Sequence, residues 1–201
     1  MTPHPRHNDA ARRTSEAGQS LVEFAVVLPL LLLIVLGVVE TGYMLLDQHI
    51  VSKLSREGSN LISRDSAIQD AVTAIREMSG APINFDDGTS KVIFSIIKSG
   101  GVPGTANYKK AFLYQRHEYG TFPGQSRLSA SGGAFSGSPD YRAVNPDTDS
   151  RLQIVNCPPT LLSGPGSMAY VTEIFSRHTL ITPLDRLGIR LPTSLYSIAY
   201  F

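Results

Sequence analysis

The chain begins polar, becomes continuously apolar, and later alternates. From Phe24 to Val39 it reads FAVVLPLLLLIVLGVV without one charge, and after Glu40 the apolar character resumes in TGYMLL as far as Leu46. As an α-helix the uncharged part is about 24 Å long and the stretch to Leu46 about 35 Å, on either side of a bilayer hydrocarbon core of about 30 Å. A protein of 201 residues could bury such a helix only by covering it all round. The run therefore predicts one membrane crossing over 19–46. It is too long for a secretory signal and no clear A-x-A site follows it, so the anchor is expected to be retained. Pro29 lacks an N–H and crowds the carbonyl of Ala25, which predicts a helix kink there.

Beyond Leu46 the spacing changes. Ile50, Val51, Leu54, Leu61, Ile62, Ile68, Val72, Ile75 and Met78 recur on one helical face together with Gly58. Lys53, Arg56, Glu57, Arg64, Asp70, Arg76 and Glu77 fall opposite. This predicts an amphipathic helix over 47–79 packed on the domain that follows, a partner helix being the alternative use of the stripe. The pattern stutters around Ser63–Ser66, where Ser or Asp can cap a second helix. After Ser79-Gly80-Ala81-Pro82 the texture turns to short β-rich runs: KVIFSIIK, KAFLYQRHEYG, RLQIVNC, MAYVTEIFSRH and SLYSIAYF. The Gly- and Ser-rich stretch 120–138 reads as a long loop with little core of its own. The fold class is α+β: a long N-terminal transmembrane and amphipathic helix, then a small antiparallel sheet domain in 80–201.

Charge adds an orientation. Arg6, Arg12 and Arg13, with His4 and His7, precede the apolar run, which predicts a cytoplasmic N-terminus and delivery of everything after Leu46 out of the cytoplasm. The overall balance, 18 basic against 17 acidic residues, gives no support to nucleic-acid binding. Two carboxylates border the run. Glu23 at its start suits a helix N-terminus, and Glu40 reads as the outer water boundary.

The sequence shows no catalytic constellation. His49, His117 and His178 are scattered, without metal-ligand spacing, and neither G-x-S-x-G nor a phosphate-cradling loop is found. Asp147-Thr148-Asp149-Ser150 lacks the Gly and terminal Glu of a calcium loop and reads as a solvated turn. His117-Glu118 reads as an exposed pair, and the tyrosines, from Tyr108 to Tyr200, as strand packing. The single Cys157 cannot form an internal disulfide. No catalytic residue, metal ligand or cofactor is expected.

The polar-to-apolar boundary, RRTSEAGQSLVEFAVVLPLLL, resembles a type IV prepilin processing site: an arginine-bearing leader, a glycine, and a glutamate five residues after it. With Phe24 behind Glu23 and a Pro-containing apolar run, it is similar to the opening of TadE-like pseudopilins of the Tad (tight adherence) system. That resemblance covers about residues 12–46. It implies a leader over 1–18 cut between Gly18 and Gln19 by a prepilin peptidase that reads Glu23 and Phe24. Gly18 carries no side chain to obstruct the protease. The resemblance further implies an inner-membrane protein with a periplasmic 80–201 domain, entering the pilus in some assemblies, with Glu23 pairing with the N-terminal amine of a neighbouring subunit. Its expected partners are the prepilin peptidase, TadF-like subunits and the major pilin, and its expected role is a minor pilin that primes or caps the fibre. AYVTEIFSRHTLITPL is more loosely similar to the C-terminal pattern of these families and assigns no role to Glu173. Two alternatives stand beside this: a membrane-tethered exported domain that binds a surface or ligand, and an exported hydrolase for which no site is visible.

Overall fold

A computed structural model describes the backbone of residues 9–128, 130–162 and 164–201, and their side chains except for residues 9–17 and 159. His4, Arg6 and His7 of the expected leader lie outside the described residues, as do the side chains of Arg12 and Arg13. Two compact units are formed. One comprises the described residues up to Tyr43 together with Leu180–Leu191; the other comprises Met44–Thr179 and Pro192–Phe201.

The first helix, α1 (Asp9–Ser63), contributes to both units and includes Pro29 without interruption. In the first unit its surface is apolar and open, with Leu21, Phe24, Val26, Leu30 and Val38 each more than three-fifths exposed. The helix Gly18–Ser63 is long and apolar enough to cross a membrane.

In the second unit the sheet has the order β2-β1-β3-β4, from β1 (Ser90–Gly100), β2 (Lys110–Tyr119), β3 (Met168–Arg177) and β4 (Ser194–Tyr200). Every neighbouring pair is antiparallel. The central β1 is buried on both faces, which is why KVIFSIIK is a continuous rather than alternating apolar run. One face packs on Val51, Leu54 and Ile62 of α1 and on Ile68, Val72 and Ile75 of α2 (Ile68–Met78). The helical break falls at the stutter of the stripe, and Met78 at its end stays about half exposed. Gly58 is needed for this packing, since a Cβ there would come within 2.7 Å of Thr172 Cγ2 and 3.1 Å of the Phe94 ring. The opposite face is covered by the long β2–β3 connection through Leu128, Ala143, Leu152 and Ile154, with Phe122 against Phe175 and Ile93.

The structure differs from the sequence reading in two places here. RLQIVNC is not a sheet strand. It forms a 3-10 turn at Ser150–Leu152 and one isolated bridge, Gln153 to Phe112. The 120–138 stretch is a loop, but it supplies buried Phe122 and Leu128 to the second face of the sheet.

Candidate functional site

The processing and assembly positions predicted from sequence lie together on the open end of α1. Gly18 is exposed, and nothing lies within 4 Å of where its Cβ would be. Nothing inside the described chain therefore requires glycine at this position. One turn on, Gln19 Nε2 donates to Glu23 Oε1 at 3.0 Å, an i,i+4 contact along the same helix face. Phe24 is 63% exposed, and Pro29 is exposed within the helix. Among the described residues these positions bring no reactive groups together. They form an apolar helical surface that carries Glu23 near its described start.

Glu40 behaves differently from the sequence expectation. It is fully buried, and its carboxylate accepts hydrogen bonds from the backbone N–H of Ile181 and Thr182 and from the Thr182 hydroxyl, the latter two at 2.7 and 2.5 Å. Thr182 precedes the short 3-10 helix Pro183–Leu187, so Glu40 satisfies the backbone N–H groups of the two residues that lead into it. A threonine followed by proline is a helix-start signal, but nothing in the sequence links it to a glutamate 142 positions earlier.

Glu173 and His178, both buried, were not marked as important by sequence. Glu173 on β3 is fully buried and accepts from the Ser126 hydroxyl, from Arg127 N–H at 2.8 Å and from Tyr196 O–H at 2.8 Å. It fastens the 120–138 loop to the sheet. Burial and then the hydrogen bond to Glu173 raise the Tyr196 pKa far above its usual value, which keeps this phenol a donor. Asp47 of α1 contacts His178 Nδ1 at 2.6 Å, next to the end of β3. Further along α1, Gln48 donates to the Tyr196 carbonyl, Ser55 bonds Ser197 and Ser59 donates to the Ala199 carbonyl. These contacts cover edge strand β4 and occupy backbone acceptors that would otherwise invite another strand.

The remaining sequence candidates have structural partners. His117 stacks on Tyr141 at 3.8 Å, and burial lowers its pKa against the opposing charge of Glu118. Glu118 pairs with Lys91 and Arg116; desolvation raises its pKa, but these cations outweigh that and hold it below the usual carboxylate value. An open cavity of about 560 Å³ lies beside Lys91, Arg116, His117 and Glu118. Asp149 accepts from Arg151 through backbone and guanidinium. Tyr114, Tyr119, Tyr141 and Tyr170 pack against the helix-side core. Burial raises the Cys157 thiol pKa, which reduces its thiolate fraction.

With this geometry in place, the comparison with known families bears on one segment. Residues 18–60 match the model of the family described as TadE-like protein. This segment is TadE-like. The match starts at Gly18, takes in Glu23, Phe24, Pro29 and Glu40, and runs on through the part of α1 that carries buried Val51 and Leu54. No curated protein and no solved structure matches the chain. The TadE-like helix, long and apolar enough to cross a bilayer, indicates a membrane anchor.

Proposed function

We propose that this chain is a minor pilin or pseudopilin of a Tad-type pilus, cut by a prepilin peptidase between Gly18 and Gln19 and assembled through the exposed face of α1. The observation that carries this reading is the TadE-like helix itself. Its apolar surface from Leu21 to Val39 is largely exposed, and Glu23 projects from it with Gln19 as its hydrogen-bond partner. A carboxylate at the edge of hydrocarbon is costly unless paired. Cleavage would create an amine on Gln19, and the amine of a neighbouring subunit could pair with Glu23 and set the axial register of packed helices. TadF-like subunits and the major pilin are the proposed partners. The orientation that fits is N-terminus in the cytoplasm and sheet domain in the periplasm.

The test is N-terminal sequencing of membrane-derived protein with and without the peptidase. The expected start is Gln19, and a mature chain beginning at Met1 or after Val39 would overturn the proposal. Gly18→Val is an informative block because no described atom crowds that position; it should leave an inserted, folded and uncut protein. Glu23→Gln should remain inserted but fail to co-purify with pilin-like partners. A stand-alone tethered binding domain would be indifferent to that change.

A further inference from the structure

Leu180–Leu191, within the β3–β4 connection, forms one compact unit with the first part of α1. Its sequence, LITPLDRLGIRL, mixes apolar residues with two arginines. Leu184 is buried, whereas Ile181 is 58% and Leu187 60% exposed. Arg186 and Arg190 are exposed, as is Asp185 between them and the helix start. Single exposed apolar residues are ordinary on protein surfaces. The place where this loop is attached makes these two different.

Glu40 holds the loop through Ile181 and Thr182. Along α1, Glu40 lies about 28 Å from Leu21, close to the roughly 30 Å hydrocarbon thickness of a bilayer. If the open apolar run occupies the membrane, the loop is fixed at the level where hydrocarbon gives way to headgroups. Its backbone is also prepared for a dry layer. The N–H groups of Ile181 and Thr182 go to Glu40, that of Gly188 to Asp185 O, and that of Ile189 to Leu184 O. Gly188, at φ +82°, makes the turn that allows the last two. Irregular backbone enters lipid only when its polar groups are satisfied internally.

We propose that 180–191 is a lipid-binding collar around the anchor: Ile181 and Leu187 insert at the acyl-chain boundary, and Arg186 and Arg190 bond lipid phosphates. Guanidinium groups suit phosphate oxygens, and their stems run along apolar surface while their heads reach the interface. Lipid is favoured over protein as occupant because the exposed pair shares its compact unit with the open apolar helix and is flanked in sequence by Arg186 and Arg190. The proposal rests on the anchor reading of α1.

The experiment reconstitutes the full chain, in a Cys157→Ser background, into phosphatidylcholine–phosphatidylglycerol vesicles. A bimane fluorophore is placed on Leu187→Cys or, separately, on Leu31→Cys, and the lipids carry bromine at shallow or deep acyl positions. The collar is expected to lose emission at position 187 with shallow bromines, and the anchor to lose emission at position 31 with deep ones. Arg186→Gln with Arg190→Gln should reduce the shallow quenching at 187 and leave position 31 unchanged. Quenching at 31 without quenching at 187 would leave the anchor standing and overturn the collar. So would a position 187 shielded from both lipid bromine and aqueous iodide, which would indicate a protein occupant. No quenching at 31 would remove the anchor and the collar together.

Discussion

Thr172 and Ser95 are fully buried, and their hydroxyls find no hydrogen-bond partner among the described residues. A buried hydroxyl without a partner loses its hydration and gains nothing in return. Thr172→Val keeps the shape that meets Gly58 and removes the oxygen, so it should stabilise the protein by about 1 kcal/mol. Chemical denaturation in detergent should show a higher midpoint with unchanged slope; a lower midpoint would show that the hydroxyl does have a partner. His117 gives a pH dependence whose sign can be worked out. Its pKa is lower folded than the ordinary 6.5, so the folded state favours the neutral ring. The corresponding stability is complete above pH 6.5 and is lost as pH falls through that value towards the folded one. His117→Phe keeps a ring against Tyr141 and should flatten the fall in stability as pH drops below about 6.5. An unchanged slope would place the protonation elsewhere. Such details could not be read from sequence, where His117-Glu118 looked like any exposed strand pair.

At the scale of elements, the helices and all four sheet strands were legible because each carries its own periodic signal. The stripe from Val51 to Ile75 repeats at helical spacing, and β1 is rich in valine, isoleucine and phenylalanine. RLQIVNC misled because its apolar residues serve a loop rather than a ladder: Leu152 and Ile154 point into the core from a 3-10 turn and a single bridge. The 120–138 loop misled in the opposite direction, since Gly and Ser richness hides two anchoring side chains and the bonds to Glu173. Removing those bonds should free the loop. Glu173→Leu leaves the Ser126, Arg127 and Tyr196 donors without their acceptor and should cost about 2–4 kcal/mol. Hydrogen exchange should speed up in 120–138 well before it does in β1. Equal acceleration in both would mean that Glu173 supports the whole sheet and not the loop.

For the whole molecule, the three hydrophobic clusters of the second unit draw only on residues from Met44 onwards. A fragment starting at Met44 should therefore keep its sheet. Circular dichroism should show mixed α and β content, and heating should give one cooperative transition. A molten fragment would show that the anchor segment is required for folding. The TadE-like match crosses this division: it runs from Gly18 past Met44 to residue 60 and stops before the sheet begins.

The sequence by itself determined everything with short-range logic: the apolar run and its length, the amphipathic stripe, the strands, and the Gly18–Glu23 spacing that resembles a processing site. These are encoded within a few turns of helix or a few strand residues, where period and chemistry can be read directly. Only the tertiary structure decided what the isolated carboxylates do. Glu40, expected to face water, holds a loop that begins 141 residues away, and Glu173, to which no role was assigned, fastens another. Both are acceptors whose donors are backbone N–H groups and hydroxyls. Such donors occur at nearly every position and leave no mark in the sequence until the fold brings one of them within reach.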